Sequence, residues 1–254
     1  MASAPASHRA TNARVLSLLE VSGKLKGDVL DLGAGRGYFT GLLSAAREKL
    51  GIAPGAGIAA CDIEKGAFAV AGVNFKQADL NRGLPYPDAA FDAVVAIEVM
   101  EHTRVPYAAL AEIARVLKPG GVLIFSVPNV GHLVSRLNFL ITGHYQLYLS
   151  PSTLPENMGR ISGHVSPLPY QYWHFGLRLA GFSEISLHGD RTKRAAAALA
   201  VLGWPVMRLF MARTLRRLAG EPKLYAETAD VTRNANSWTA LTSRSLVFFA
   251  AKSA

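Results

Sequence analysis

The run Val29-Leu30-Asp31-Leu32-Gly33-Ala34-Gly35-Arg36-Gly37-Tyr38-Phe39-Thr40 constrains this chain more than any other stretch. Val29 to Leu32 is short, apolar and β-branched at its start, the pattern of a buried parallel strand. Three glycines follow at alternate positions and let the backbone turn sharply and approach a ligand closely. From Tyr38 to Leu50, apolar Phe39, Leu42, Leu43 and Ala46 recur on one helical face. The run reads as strand, glycine turn, helix. A turn built for a dinucleotide carries G-x-G-x-x-G, with the pyrophosphate on the helix N-terminus. Here the spacing is G-x-G-x-G, Tyr38 stands where the third glycine would fall, and Asp31 precedes the turn. An acid there repels a pyrophosphate and attracts an ammonium or sulfonium.

The chain continues in the same rhythm. A lead-in helix is expected over Ser7 to Val21. Strands are expected at Val29–Leu32, Gly57–Cys61, Val73–Gln77, Phe91–Ile97 and Gly121–Pro128, with helices between them. Pro106 to Val116 is the helix before the fifth strand, and Lys118-Pro119-Gly120-Gly121 is a turn that stops it. A helix over Leu168 to Ala180, a sixth strand over Ser183–Leu187 and a last strand over Ser245–Ala251 complete the pattern. Such alternation predicts a parallel sheet with right-handed crossovers, an α/β fold with helices on both faces.

The motif series resembles the class I S-adenosylmethionine (SAM) dependent methyltransferases. Besides the glycine turn, the resemblance rests on Ile58-Ala59-Ala60-Cys61-Asp62, Gln77-Ala78-Asp79-Leu80, Phe91-Asp92-Ala93-Val94-Val95-Ala96-Ile97 and Arg115-Val116-Leu117-Lys118-Pro119-Gly120-Gly121-Val122-Leu123-Ile124. Together these pieces span about Val29 to Asn129. The resemblance implies a Rossmann-like sheet of seven strands, six parallel, with the last antiparallel beside the sixth. It also implies SAM as cofactor. Asp31 would organise the methionine amino end, with Gly33, Gly35 and Gly37 along it. Asp62 would accept from the ribose hydroxyls. Asp79 would take the adenine amino group, with Ile63 and Leu80 against the ring and Ile97 at the edge of the site.

Ile97-Glu98-Val99-Met100-Glu101-His102 closes the fourth strand. Methyl transfer to an oxygen needs a positioned acceptor and a base for its proton. A histidine titrates in the right range, and His102 is the candidate. The E-x-x-E-H pattern is similar to that of ubiquinone-biosynthesis O-methyltransferases and small-RNA 2′-O-methyltransferases. In members of those groups the acids and histidine can hold a divalent metal, which here implies Glu98, Glu101 and His102. His164, in Gly163-His164-Val165-Ser166-Pro167, falls where many relatives place a histidine over the acceptor. It is expected as a further ligand, a second acid/base or an acceptor contact. His132, His144 and His174 lack such a pattern and read as structural or exposed.

Two insertions interrupt the alternation, at about 130–167 and about 188–242. Both should begin on the ligand face, at the carboxyl ends of strands. The first, with Leu137, Phe139, Leu140, Ile141, Tyr145, Leu147 and Tyr148, reads as an acceptor lid or as a wall for an apolar acceptor. The second carries much of the net charge of +9: Arg191 to Arg217 holds seven basic residues and no acid, around an uncharged run from Ala195 to Met207. Arg208 and Pro205 disfavour a spanning helix. A basic-flanked apolar helix suits an anionic membrane surface; a helical cap on the domain or a subunit contact is the alternative.

Half of the 254 residues are apolar, enough for one large core spanning 1–254. A single cysteine, Cys61, leaves no intrachain disulfide and fits a reducing compartment. Met1 to Arg14 is small and polar, without the apolar core of a secretory signal. The expected location is the cytoplasm, peripheral to the inner membrane face. The expected function is SAM-dependent O-methylation of a small or lipid-linked acceptor: a quinone precursor, a glycan or a lipid intermediate. The rivals are an RNA 2′-O-methyltransferase, disfavoured because the basic residues flank an apolar run rather than aromatics for stacking, and a SAM-fold protein that only binds a membrane or partner. Oligomeric state is not readable.

Overall fold

The structure, a computed structural model, describes residues 7–66, 68–154 and 163–253. Seven strands form one sheet: β1 (Val29–Leu32), β2 (Ile58–Asp62), β3 (Asn74–Gln77), β4 (Phe91–Ile97), β5 (Leu117–Pro128), β6 (Phe182–Gly189) and β7 (Ser245–Lys252). Their order is β3-β2-β1-β4-β5-β7-β6. Strands β1 to β5 pair in parallel, and β7 runs antiparallel to both β5 and β6. This is the sheet the resemblance implied.

Eight helices surround it among the described residues: α1 (Arg9–Val21), α2 (Tyr38–Glu48), α3 (Pro106–Val116), α4 (Leu133–Thr142), α5 (Tyr170–Leu179), α6 (Arg194–Leu218), α7 (Pro222–Asn234) and α8 (Trp238–Thr242). Alternation along the buried strands sorts the core into two layers. Leu30, Leu32, Val94, Ala96, Leu123 and Phe125 face Leu110 and Ile113 of α3 and Trp173 and Leu177 of α5. Val29, Ala93, Val95, Val122 and Ile124 face Val15 and Leu19 of α1 and Phe39 and Leu43 of α2. Phe125 of β5 stacks on Phe248 of β7 at 4.7 Å and meets Trp173 edge-on at 5.5 Å. These rings fasten the antiparallel strand to the parallel sheet, each buried aromatic contributing about 1.5–3 kcal/mol.

Three local expectations are corrected. Among the described residues no helix forms between β2 and β3; 63–66 and 68–73 are turns and irregular chain. Lys118-Pro119-Gly120-Gly121 lies within β5: the strand pairs from Phe91↔Leu117, slips, and resumes at Ala93↔Val122, with Gly120 at φ 67° absorbing the irregularity. The α5 helix starts at Tyr170, after Pro167 and Pro169 have ended any earlier helical start. The second insertion is mainly helical. A further feature was not legible: Arg47, on the buried side of α2, donates from Nε to the Leu25 carbonyl at 2.8 Å and from its terminal nitrogens to the carbonyls of Ala56 and Gly27. The guanidinium satisfies three carbonyls in the two loops that enter β1 and β2, so its burial is compensated. It pins α2 at the end of the sheet opposite the glycine turn.

Candidate active site

In an open sheet of this kind ligands lie outside the carboxyl ends of the strands, where the strand order reverses. Here that point lies between β1 and β4. The loop leaving β1 is the glycine turn, and the loop leaving β4 is Glu98 to His102. They touch: a methyl at Gly33 would collide with the Val99 side chain.

All three turn glycines have positive φ, 73° at Gly33, 53° at Gly35 and 86° at Gly37. Side chains would be strained at each, and a Cβ on Gly37 would also meet Val70 and Phe68. The turn is hung from β2: the Cys61 carbonyl accepts from Gly33 N at 2.8 Å and Ala34 N at 3.1 Å. Asp62 adds its carboxylate, accepting from Gly35 N at 2.8 Å and from Glu64 N at 3.0 Å. The acid expected at the ribose thus also fixes the glycine turn.

Asp31 is buried on the α1–α2 side of β1 and accepts a 2.5 Å hydrogen bond from Thr40 in the first turn of α2. Burial pushes its carboxyl up to about 6; the Thr40 hydrogen bond opposes the rise, and nearby Asp62 adds to it. A buried acid beside a cleft, short of positive partners, is suited to receive an ammonium. Asp79 accepts from the backbone and side-chain amides of Asn81, both at 2.9 Å. Burial works against its ionisation, yet the Asn81 hydrogen bonds and Arg82 hold it below the usual carboxylate range. Leu80 is buried beside it, and Ile63 is half exposed. The side-chain acids, the open glycine cradle and these apolar edges fit a cationic, nucleoside-bearing cofactor.

The second pole follows β4. Glu98 sits at φ 54°, a strained conformation for a residue with a side chain. Its backbone N–H reaches the carbonyl and the hydroxyl of Ser126, and its carboxylate accepts from Ser245 at 2.9 Å. Glu101 is fully buried and neither carboxylate oxygen has a hydrogen-bond partner among the described residues. Burial, then the charge of Glu98, raises its carboxyl well above the usual range. The Glu101 carbonyl accepts from Val165 and Ser166, and so brings His164 to His102. The two imidazoles lie 4.6 Å apart, nearly perpendicular.

Each imidazole is oriented by a carbonyl: His102 Nδ1 by Gly163 at 3.1 Å and His164 Nδ1 by Leu147 at 2.6 Å. A carbonyl only accepts, so each Nδ1 carries a proton, and the nitrogen through which each ring can exchange a proton is Nε2. Burial and neighbouring His102 lower His164 to about 4, partly offset by the Leu147 hydrogen bond. It is therefore neutral at physiological pH. Leu147, at φ 66°, is a second strained residue here, and Tyr148 closes the pocket with its ring 5.2 Å from His164.

One ligand atom each from Glu101, His102 and His164 lies within 4.8 Å of the others. That grouping differs from the expected set of Glu98, Glu101 and His102: the structure puts His164 in it and turns Glu98 to Ser245. Thr40, Tyr148 and Ser245 were not singled out from the sequence as site residues. Thr40 lies inside the diagnostic run and Tyr148 inside the aromatic lid, but Ser245 carries no local signal. His132 caps α4, accepting from Ser135 N at 3.0 Å, in keeping with a structural role.

Comparison with known proteins agrees with this geometry. Residues 30–125 match the family model described as a methyltransferase domain. A probable SAM-dependent methyltransferase of Mycolicibacterium smegmatis is 35% identical over 107 residues, which are 40% of this chain and 38% of that protein. A ubiquinone biosynthesis O-methyltransferase of Xanthomonas axonopodis pv. citri is 30% identical over 181 residues, covering 62% of this chain and 72% of the relative. A SAM-dependent methyltransferase from Archaeoglobus fulgidus shares the fold with a TM-score of 0.55 at 18% identity, covering 95% of this chain and 94% of that one. With its glycine turn, its strand order and this likeness across most of a relative's length, the chain belongs to the SAM-dependent methyltransferases.

Proposed function

We propose that the chain methylates a hydroxyl oxygen of a small or lipid-linked acceptor, with His102 taking the acceptor's proton. The observation that carries this reading is the Nδ1 hydrogen bond of His102 to Gly163, which leaves Nε2 as the nitrogen that can exchange a proton beside the cleft between β1 and β4. In the reaction the acceptor oxygen bonds to the methyl carbon. The carbon–sulfur bond breaks, its electron pair stays on sulfur, and the proton goes to Nε2. Asp31 and Asp62 hold the cofactor on one side, and His164 and Tyr148 bound the acceptor on the other. The relative named as a ubiquinone biosynthesis O-methyltransferase supports oxygen as the methylated atom and a quinone precursor as the acceptor.

The residues also fit a divalent cation. A buried carboxyl group without hydrogen bonds, grouped with one ligand atom from each of two imidazoles, is a donor set suited to a divalent cation. In this second reading Glu101, His102 and His164 would hold the ion through Nε2 of each ring, and the ion, by lowering the pKa of the acceptor hydroxyl, would replace His102 as the means of deprotonating it. Glu101 then supplies negative charge at a fixed distance, and the carbonyls of Gly163 and Leu147 hold the rings in the required tautomer.

Incubation with labelled SAM and a cell lipid extract, followed by tracing of the label, tests the acceptor class. Label in a hydroxyl-bearing lipid or quinone precursor supports the reading. A parallel incubation with labelled SAM and total cell RNA supplies the contrary outcome: label in RNA with none in the lipid extract overturns the reading in favour of the 2′-O-methyltransferase alternative.

A further inference from the structure

We propose that α6, with its neighbour α4, seats the protein on an anionic bilayer, lying along the interface rather than crossing it. The packed side of α6 is a single stripe in which Ala196, Ala200, Gly203, Met207, Met211 and Leu215 are buried or half-buried. The opposite side is apolar and bare. Leu199, Leu202, Val206, Leu209 and Phe210 recur at helical spacing and are all exposed, Leu202 to 79%. On α4, which packs beside α6, Leu137, Leu140 and Ile141 are also exposed, Leu140 to 80%. Apolar helix faces of this extent are rarely left in water.

Charge selects the occupant. Arg194, Arg208, Arg213, Arg216 and Arg217 are all exposed on α6, and the helix contains no acid. The apolar row, with exposed Trp204 inside it, occupies its first two-thirds, and Arg213, Arg216 and Arg217 crowd its last turns. This distribution complements acyl chains beneath a layer of anionic headgroups. A second copy would bring one arginine-rich end toward another without an acid on α6 to meet it.

Topology decides between lying on the membrane and crossing it. By length and composition α6 qualifies as a span. Yet the chain enters α6 from β6 and returns through α7 and α8 to β7, the strand hydrogen-bonded to β6. Both ends of α6 therefore belong to one side of any bilayer. A return span is absent, because α7 has 13 residues and carries Lys223, Glu227, Asp230 and Arg233. Pro205 also removes the amide that would serve the Val201 carbonyl, an exposed position that water at an interface can satisfy.

The surface connects to the active site. Lys193, just before α6, donates to the Gln146 side chain, and Gln146 N donates to Ser135 of α4 at 3.0 Å. The next two residues are Leu147, which orients His164, and Tyr148. A bilayer under α4 and α6 would lie against the elements that carry the acceptor lid.

The test is co-sedimentation of the full chain with phosphatidylcholine vesicles, with and without phosphatidylglycerol. Binding is expected on the anionic vesicles and to weaken with added salt. Leu202→Glu with Val206→Glu should abolish it. Arg213→Gln, Arg216→Gln and Arg217→Gln together should weaken it by about a hundredfold. SAM affinity, read by calorimetry in the same variants, should be unchanged, which shows that they fold. No vesicle binding by the natural chain, or equal binding by the Leu202→Glu, Val206→Glu variant, overturns the proposal. So does a dimer in light scattering that those two substitutions dissolve.

Discussion

The two sides of the sheet's carboxyl edge are built on different plans. On the β1–β3 side the loops are short and their polar groups are consumed in holding one another: Asp62 ties Gly35, Asn81 satisfies Asp79 and Thr40 meets Asp31. On the β4–β7 side the loops leaving β5 and β6 are long and helical, and the titratable groups are left with chemistry to spare, most plainly at Glu101 after β4. The first side is a preformed mould for one cofactor. The second meets its ligand with imidazole nitrogens and a lid hung on two exposed helices. A fold that keeps its cofactor and varies its acceptor needs this division, because rigid positioning and changeable specificity are hard to build into the same loops.

The comparison breaks most sharply at Asp31. Replacing it with Asn should weaken SAM binding on the order of a hundredfold, the scale for removing one partner of a buried charge pair. The same substitution leaves the β4 pole untouched. His102→Ala is the converse: turnover should fall on the order of a hundredfold or more while SAM affinity stays the same. A His102→Ala enzyme with full turnover on its acceptor would remove the base from the account.

The pH dependence sharpens the difference further. The Asp31 carboxyl sits at about 6, above its ordinary value of 3.8, so the folded chain binds this proton more tightly than the unfolded one. Without cofactor, stability should therefore fall as pH rises from about 4 to about 6, by about 3 kcal/mol. SAM binding requires the ionised form. Its affinity should be level above about pH 6 and fall about tenfold per unit below it, as calorimetry at several pH values would record.

The smallest expected effect is at Glu101. Its carboxyl is raised, so ionisation costs stability as pH climbs above the usual carboxylate range. In the presence of a chelator, Glu101→Gln should raise the neutral-pH Tm, by about 2–4 °C for each kcal/mol relieved. Divalent cations should raise the Tm of the natural chain and leave that of Glu101→Gln unmoved. A natural chain indifferent to magnesium, manganese and zinc would contradict the cation site.

The same division governs what could be read from residues alone. Asp31, Gly33, Gly35, Gly37, Asp62 and Asp79 lie at fixed offsets from strand ends, where geometry follows local pattern. Their places at the strand ends were legible, as were the seven strands and the antiparallel last one. Arg47 was not, because its partners are backbone carbonyls in two separate loops, at Leu25 and Gly27 and at Ala56, which no side-chain pattern marks. Nor was the turn of Glu98 toward Ser245, a contact across 147 residues. The pairing of His102 with His164 depends on the Glu101 carbonyl capturing Val165 and Ser166, which no spacing rule reports. The lid residues showed their apolar character but not the strained Leu147 that aims His164.

The most direct measurement is a calorimetric titration of SAM into the natural chain, Asp31→Asn and His102→Ala. The account predicts saturable binding by the natural chain, the same affinity in His102→Ala, and severe loss in Asp31→Asn. No binding to the natural chain at millimolar SAM, or equal binding by Asp31→Asn, would contradict it.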